Sequence, residues 1–462
     1  MSVVAVFDVG KTNVKLTIAD RVGRLLETMS TGNAVLPGPP YRHHDLGAIE
    51  SWMLDGLTSL GSRHDIAAIV PCAHGSGGVL VGEHEPAMPM IDYEQTPPAA
   101  IEAEYRRIGG SFRERGSQFM LGAAHLARQM LWLETDWPAA FLDARYYLAT
   151  PQYWAWRLSG VAAGEVTSLA AQSHLWSPAD GRPAHLIAER GWQRLMPPLR
   201  PAWETLGPLR PDWVSRTGLR PDVRVVNGIH DSSANLYRYQ AAGLSDMTVV
   251  STGTWMVAIS DSPDSDGVTE RPGVCCNADV EGKPLAGVLT MAGREFSAVS
   301  EAGTRGPASR DDLERLIASG TMALPTFGQD DALFPGTAGR GVVEGALASD
   351  LTLRHSLAVL YVALLTDMCL EGLAIGDNLV LDGSYVRDPA YAGLLAALRP
   401  QARVLVNHEQ YGTGSGAALL AWHETRDHAA PLALDRPDPL RVSGLDQYRT
   451  QWRARASNRR NP

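Results

Sequence analysis

Apolar and polar positions alternate twice near the start of the chain, at Val3, Ala5, Phe7 and Val9 and again at Val14, Leu16 and Ile18. A period of two predicts a strand, a turn at Gly10-Lys11-Thr12-Asn13 and a second strand. The Gly-Lys-Thr triplet invites a P-loop reading. That motif needs a glycine five residues before Gly10, where Ala5 stands, and a helix afterwards, where the alternation resumes. The pattern therefore supplies either a turn whose amides and hydroxyls hold phosphate oxygens or an ordinary hairpin. The same form returns over 248–259, with the small polar turn Ser251-Thr252-Gly253-Thr254 at its centre. Two such hairpins, one opening each half, predict two domains of similar architecture with a seam between 241 and 246.

Between and after the hairpins, 66–70 is a short apolar run ending at Pro71, read as a buried strand that leads into the loop Cys72-Ala73-His74-Gly75. A loop at the carboxyl end of a strand is where open α/β sheets bind ligands. Helical spacing covers 122–134 and 151–158, and the Pro- and Trp-rich stretch 176–211 reads as irregular connections. Residues 223–231 form a strand ending in a glycine turn beside Asp231. Further on come a long apolar helix over 354–373, a strand over 378–381 entering Asp382-Gly383-Ser384, and another over 402–406. Gly412-Thr413-Gly414-Ser415-Gly416 opens a helix over 417–422, leaving free amides at its positive end.

With 462 residues, 45% of them apolar, the chain can fill two cores of roughly 200 residues each, divided here as 1–244 and 245–462. A formal charge of −10 argues against nucleic acid and anionic membranes as partners. The one basic cluster, Arg453, Arg455, Arg459 and Arg460, reads as a solvated tail. Four cysteines, Cys72, Cys275, Cys276 and Cys369, have no metal-ligand spacing, and a reducing cytoplasm is the expected location. The chain enters a strand at once and holds no run of about 18 apolar residues, so neither an export signal nor a membrane span is expected.

Five segments fit one pattern in one order. Asp8-Val9-Gly10-Lys11-Thr12 resembles a first phosphate motif, Gly228-Ile229-His230-Asp231-Ser232 a catalytic motif, and Ser251-Thr252-Gly253-Thr254-Trp255 a second phosphate motif. Arg340-Gly341-Val342-Val343-Glu344-Gly345 resembles the segment before the long helix of a nucleotide domain, while Asp382-Gly383-Ser384 and Gly414-Ser415-Gly416-Ala417-Ala418 resemble the two parts of an adenosine site. Over essentially its whole length the chain resembles the FGGY carbohydrate kinases, a branch of the actin-like ATPase superfamily. The pairing of His-Asp-Ser with a Ser-Thr-Gly-Thr-Trp turn is similar to the kinases of 6-deoxy-ketohexoses, rhamnulose and fuculose. Three departures bear on the sugar: Asp382 replaces the usual glycine, Asp92-Tyr93-Glu94 replaces a tryptophan, acid, arginine signature, and His74-Gly75 lacks a preceding Gly-Gln-Met.

The resemblance implies an α/β fold of two actin-like (ribonuclease H-like) domains facing each other across a cleft, 1–244 holding sugar and base and 245–462 holding nucleotide. It implies transfer of the γ-phosphate of ATP, with Mg²⁺, to a ketose such as L-fuculose or L-rhamnulose. The alternatives are a xylulose or ribulose kinase, or a non-catalytic switch on the same fold. Asp231 is then the general base, or else merely an N-cap. Asp8 holds Mg²⁺ through water, or bonds its own turn. Gly10, Lys11, Thr12 and Lys15, with Thr252, Gly253 and Thr254, take the phosphates, and Gly383, Ser384, Gly414 and Ser415 take the adenosine. His74, Asp92, Tyr93 and His230 take the sugar. Whether Gly293, Arg294 and Glu295 reach a ligand is open, as is a homodimer; the expected partners are the sugar and ATP alone.

Overall fold

Strand β1 (Val3–Val9) alternates in sequence, yet nearly all of its residues are buried. It lies at the centre of a sheet covered on both faces, which is why its polar positions are so few. The structure, a computed structural model, describes residues 2–262, 269–300, 306–329, 333–409, 412–428 and 430–459. The chain packs as two units: Met1–Leu244 with Cys276–Leu285 and Tyr411–Pro431, and Ser245–Cys275 with Ala286–Gln410 and Leu432–Pro462.

In the first unit β1, β2 (Asn13–Ala19) and β3 (Leu25–Gly32) form an antiparallel meander. Strand β4 (Ile66–Ala73) runs parallel to β1 on its other side, followed by β5 (Thr205–Pro208), β6 (Arg224–Val226) and β7 (Ile229–His230), giving the order β5-β6-β4-β1-β2-β3 with β7 also on β4. Val3, Ala5, Phe7 and Val9 pack with Met53, Leu57 and Leu60 of the helix Leu46–Gly61 and with Trp154. Val4 and Val6, pointing the other way, pack with Ala417–Leu420 of the helix Gly412–Leu420 and with Ala234 and Tyr237 of the helix Asp231–Ala241.

Two expectations shift here. The run starting at Ile66 continues through Pro71 to Ala73, and the break falls instead on its neighbour, between β6 and β7. There Gly228 takes φ +93° against the Pro71 carbonyl, where a Cβ would stand 2.4 Å from the oxygen. Only glycine tolerates both the conformation and the approach.

The second unit repeats the plan. Strands β8 (Met247–Thr252), β9 (Met256–Ser260), β10 (Val274–Ala278), β11 (Pro284–Thr290), β12 (Asn378–Gly383), β13 (Arg403–Asn407) and β14 (Leu434–Asp435) make a sheet of order β10-β11-β9-β8-β12-β13-β14, of which Cys276–Ala278 of β10 and Pro284–Leu285 of β11 count with the first unit. As before, an antiparallel hairpin is flanked by a strand parallel to its first member. The helix Arg354–Leu370 fills the core. The stretch Leu351–Leu370 is long and apolar enough to cross a membrane, with mean hydropathy 1.4, but it is 83% buried inside the protein. That is the profile of a core helix.

The expected basic tail is no tail. Residues Leu445–Asn458 form a helix whose Leu445, Tyr448, Trp452 and Ala456 enter the core. Arg453 pairs with Asp367 and Glu371, Arg455 with Glu344 at 2.7 Å, and Arg459 Nε donates to the Pro325 carbonyl at 2.8 Å. Composition hides this because the buried stripe is narrow among polar residues. Arg460 lies outside the described residues.

Candidate active site

Three neighbouring strands of the first unit end together. Asp8 of β1 is in register with Lys15 on β2 and Cys72 on β4, while Ile229 and His230 of β7 are in register with Cys72 and Ala73. The carboxyl edge of the sheet therefore gathers Asp8, His74 and Asp231, the place where open parallel sheets bind ligands. Burial pushes the Asp8 carboxyl up to about 7; Lys15 opposes this and the Asp231 carboxylate adds to it.

Asp231 opens the helix Asp231–Ala241, but the N-cap position belongs to His230, whose side chain makes no cap bond. The capping alternative is thus not the one adopted. Asp231 Oδ1 accepts from the Ser232 amide at 2.6 Å and hydroxyl at 3.2 Å, and lies 3.1 Å from His230 Nε2. Its side chain remains 33% exposed, so the carboxylate is held yet reachable. Behind it, the His230 amide donates to Thr167 Oγ1 at 3.1 Å, and that hydroxyl donates to the buried Glu165 at 2.6 Å. Glu165 also caps the helix Val166–Ala170 through the Thr167 and Ser168 amides. Burial keeps His230 neutral by lowering its pKa.

His74 has both ring nitrogens shielded from solvent and without a hydrogen-bond partner. Burial, with help from His44, Lys11 and His230, lowers its pKa to about 3, so it is neutral. The ring is 5.5 Å from Tyr93 and 6.2 Å from His44. Asp92 is fully buried, pairing with Lys11 Nζ and, at 2.8 Å, with Arg42 Nη2. Lys11 Nζ lies 5.0 Å from the Tyr93 ring centroid. The turn itself is closed by Gly10 N to Asn13 O at 2.9 Å and fastened by Asn33, whose amide donates to Thr12 O at 2.9 Å and whose side chain donates to Gly10 O at 2.7 Å. Thr12 stays exposed.

The adenosine candidates fall in different units. Gly414 and Ser415 lie in the first, where Ser415 Oγ donates to Gly23 O at 2.7 Å. In the second unit Gly383 and Ser384 adjoin the second turn: Ser384 N donates to Thr252 O at 2.8 Å, and Thr252 Oγ1 donates to Asp382 O at 2.8 Å while accepting from Tyr385 N at 3.1 Å. The Thr252 hydroxyl thus fastens β8 to β12, leaving Gly253 and Thr254 exposed at the tip. Gly293 N donates to Thr254 O at 3.2 Å, setting the start of the helix Ala292–Ser300 beside that tip. Glu295 is buried, accepting from the Phe327 and Gly328 amides, both at 2.9 Å, and from Tyr361 OH at 2.6 Å. It holds a loop.

Sequence reading passed over Asn33, Arg42, His44, Glu165 and Thr167. The Arg42-His43-His44 run was the available signal. Among the described residues no group of three or more His, Cys, Asp or Glu could cage a metal. Two carboxylates that repel each other, Asp8 and Asp231, do fit a largely hydrated Mg²⁺, which needs one or two carboxylates plus substrate phosphates.

Residues 3–237 match the FGGY family of carbohydrate kinases, N-terminal domain, and residues 244–430 match carbohydrate kinase FGGY, C-terminal domain. An L-fuculokinase of Salmonella typhi is 26% identical over 292 residues, 60% of this chain, and the chain spans only 61% of that relative's length. Among solved structures, a carbohydrate kinase from Novosphingobium aromaticivorans is 30% identical with TM-score 0.85, covering 99% of both chains. A ligand-bound xylulose kinase from Lactobacillus acidophilus has TM-score 0.83 at 16% identity, covering 99% of this chain and 98% of its own, a likeness of fold alone.

Proposed function

The chain belongs to the FGGY family of carbohydrate kinases, and on that premise we propose that it moves the γ-phosphoryl group of ATP onto a hydroxyl of a small ketose, with Asp231 as general base. The observation that carries this is the reachable, hydrogen-bonded carboxylate of Asp231 beside Asp8 and His74 on one sheet edge. As the sugar oxygen bonds to the γ-phosphorus, the bond to the β,γ-bridging oxygen breaks, ADP leaves, and the hydroxyl proton passes to Asp231. His230 and the Ser232 amide fix the carboxylate's direction, so little reorganisation accompanies the transfer. Each glycine turn offers amide and hydroxyl donors of the kind that bind phosphate oxygens. Asp8 would hold Mg²⁺ through water, which when bound neutralises phosphate charge.

The likeness to an L-fuculokinase favours a 6-deoxy-ketohexose; xylulose kinases among the solved structures with this fold make a pentulose the second reading. The acidic chain suits a small-molecule reaction in the cytoplasm, with no nucleic acid or membrane partner. The test is Asp231→Asn, assayed with L-fuculose, L-rhamnulose, D-xylulose and L-ribulose. Transfer should fall by about 10²-fold or more, with ATP and sugar binding retained. Undiminished turnover, or phosphate release independent of sugar, defeats the mechanism.

A further inference from the structure

Lys11 stands in a turn whose composition suggests phosphate binding, but its side chain is committed elsewhere in the first unit. The ammonium pairs with Asp92, a carboxylate with no exposed surface that also holds Arg42 at 2.8 Å. It lies 5.0 Å from the centroid of the Tyr93 ring, which is itself 5.5 Å from His74. Lys11, Tyr93 and His74 thus form one continuous wall. An ammonium has three donors; Asp92 takes one, and Glu94, at 4.0 Å, is too far to take another. His74 brings two shielded ring nitrogens without a partner, one able to donate and one to accept in the neutral ring. Burying such groups unpaired is costly, so they want a polar occupant.

The charges on this wall cancel. Lys11 and Arg42 are matched by Asp92 and Glu94, and the two nearby histidines, His44 and His74, are held neutral. A sugar acid would bring a carboxylate with no unmatched cation to meet it, next to the carboxylates of Asp8 and Asp231. Hydroxyls, by contrast, match the free ammonium and imidazole donors. Lys15, cross-strand from Asp8, is left as the lysine suited to phosphate.

We propose that Lys11 is a sugar-recognition residue rather than a phosphate ligand, and that the wall it builds with Asp92, Tyr93 and His74 selects an uncharged ketose over a sugar acid. The inference rests on the kinase reading. Its test compares wild type, Lys11→Met and the double variant Lys11→Met/Asp92→Asn. The double variant is needed because removing one member of the Lys11–Asp92 pair strands the other in a buried site, whereas removing both leaves only Arg42, half exposed and so solvated, without its partner. Each protein is assayed with the four ketoses above and with D-gluconate, and its ADP affinity is measured by calorimetry in Mg²⁺.

Both variants should raise KM for the preferred ketose about tenfold or more, the scale of one lost charged hydrogen bond, while ADP affinity and KM for ATP stay within about twofold. Wild type should leave D-gluconate unphosphorylated. An unmoved sugar KM, a tenfold loss of nucleotide affinity, or preferential turnover of D-gluconate would overturn the inference and leave the kinase reading standing. Wild type that phosphorylates none of the five compounds would bring down both.

Discussion

Burial raises the Asp8 carboxyl from 3.8 to about 7, against the pull of Lys15. Between those values the folded chain keeps a proton that the unfolded chain has released, so stability of the metal-free protein falls as pH climbs from about 4 to about 7 and then levels off. Three pH units correspond to roughly 4 kcal/mol. Asp8→Asn should remove that slope, and urea midpoints of the two proteins in chelator, compared pH by pH, will read it; parallel curves would show that Asp8 is not desolvated as described. That Asp8 and Asp231 sit where a strand gives way to a turn or helix, each within three residues of a glycine, was legible in sequence, a local pattern. The partner of Lys11 was not. Asp92 lies 81 residues away, and no periodicity links the two positions.

Among the elements, the hairpins and the long core helix were legible from periods of two and 3.6, and the glycine-rich start of the helix Gly412–Leu420 was also visible. What the sequence could not say is which glycine serves contact. A Cβ on Gly416 would stand 1.8 Å from the Ala234 carbonyl, whereas one on Gly414 would make ordinary contacts at 3.7 Å. The approach of helix Gly412–Leu420 to helix Asp231–Ala241 therefore needs a glycine at 416. Gly416→Ala should cost about 3 kcal/mol by forcing the helices apart, and Gly414→Ala should be near neutral or stabilising by a few tenths of a kcal/mol. Denaturant unfolding of the two variants distinguishes them; equal effects would show that the close crossing is not what Gly416 provides.

For the whole molecule, the repeated sheet order was foreshadowed by the paired hairpins, but the membership of each unit was not. Cys276–Leu285 and Tyr411–Pro431 join the first unit although sequence position would assign them to the second. Such membership depends on contacts between distant segments, which leave no local pattern. The docked C-terminal helix is a similar case. Asp367, wholly buried, accepts Arg399 at 2.6 Å and Arg449 at 2.8 Å and also pairs with Arg453, tying that helix to the core of the second unit. Asp367→Ala takes the carboxylate from Arg399 and leaves Arg449 and Arg453 with Glu371 alone, and should lower stability by about 3 kcal/mol, seen as a drop in Tm; an unchanged Tm would mean the cluster is solvated. The discontinuity of the first unit also bears on biogenesis. A ribosome delivers residues 1–244 well before the helix Gly412–Leu420 that packs on Val4 and Val6, so the nascent chain carries a sheet face only partly covered, by the helix Asp231–Ala241, while most of the second unit is being made. Until that helix arrives the face is an apolar surface of the kind that makes partly folded chains prone to aggregate.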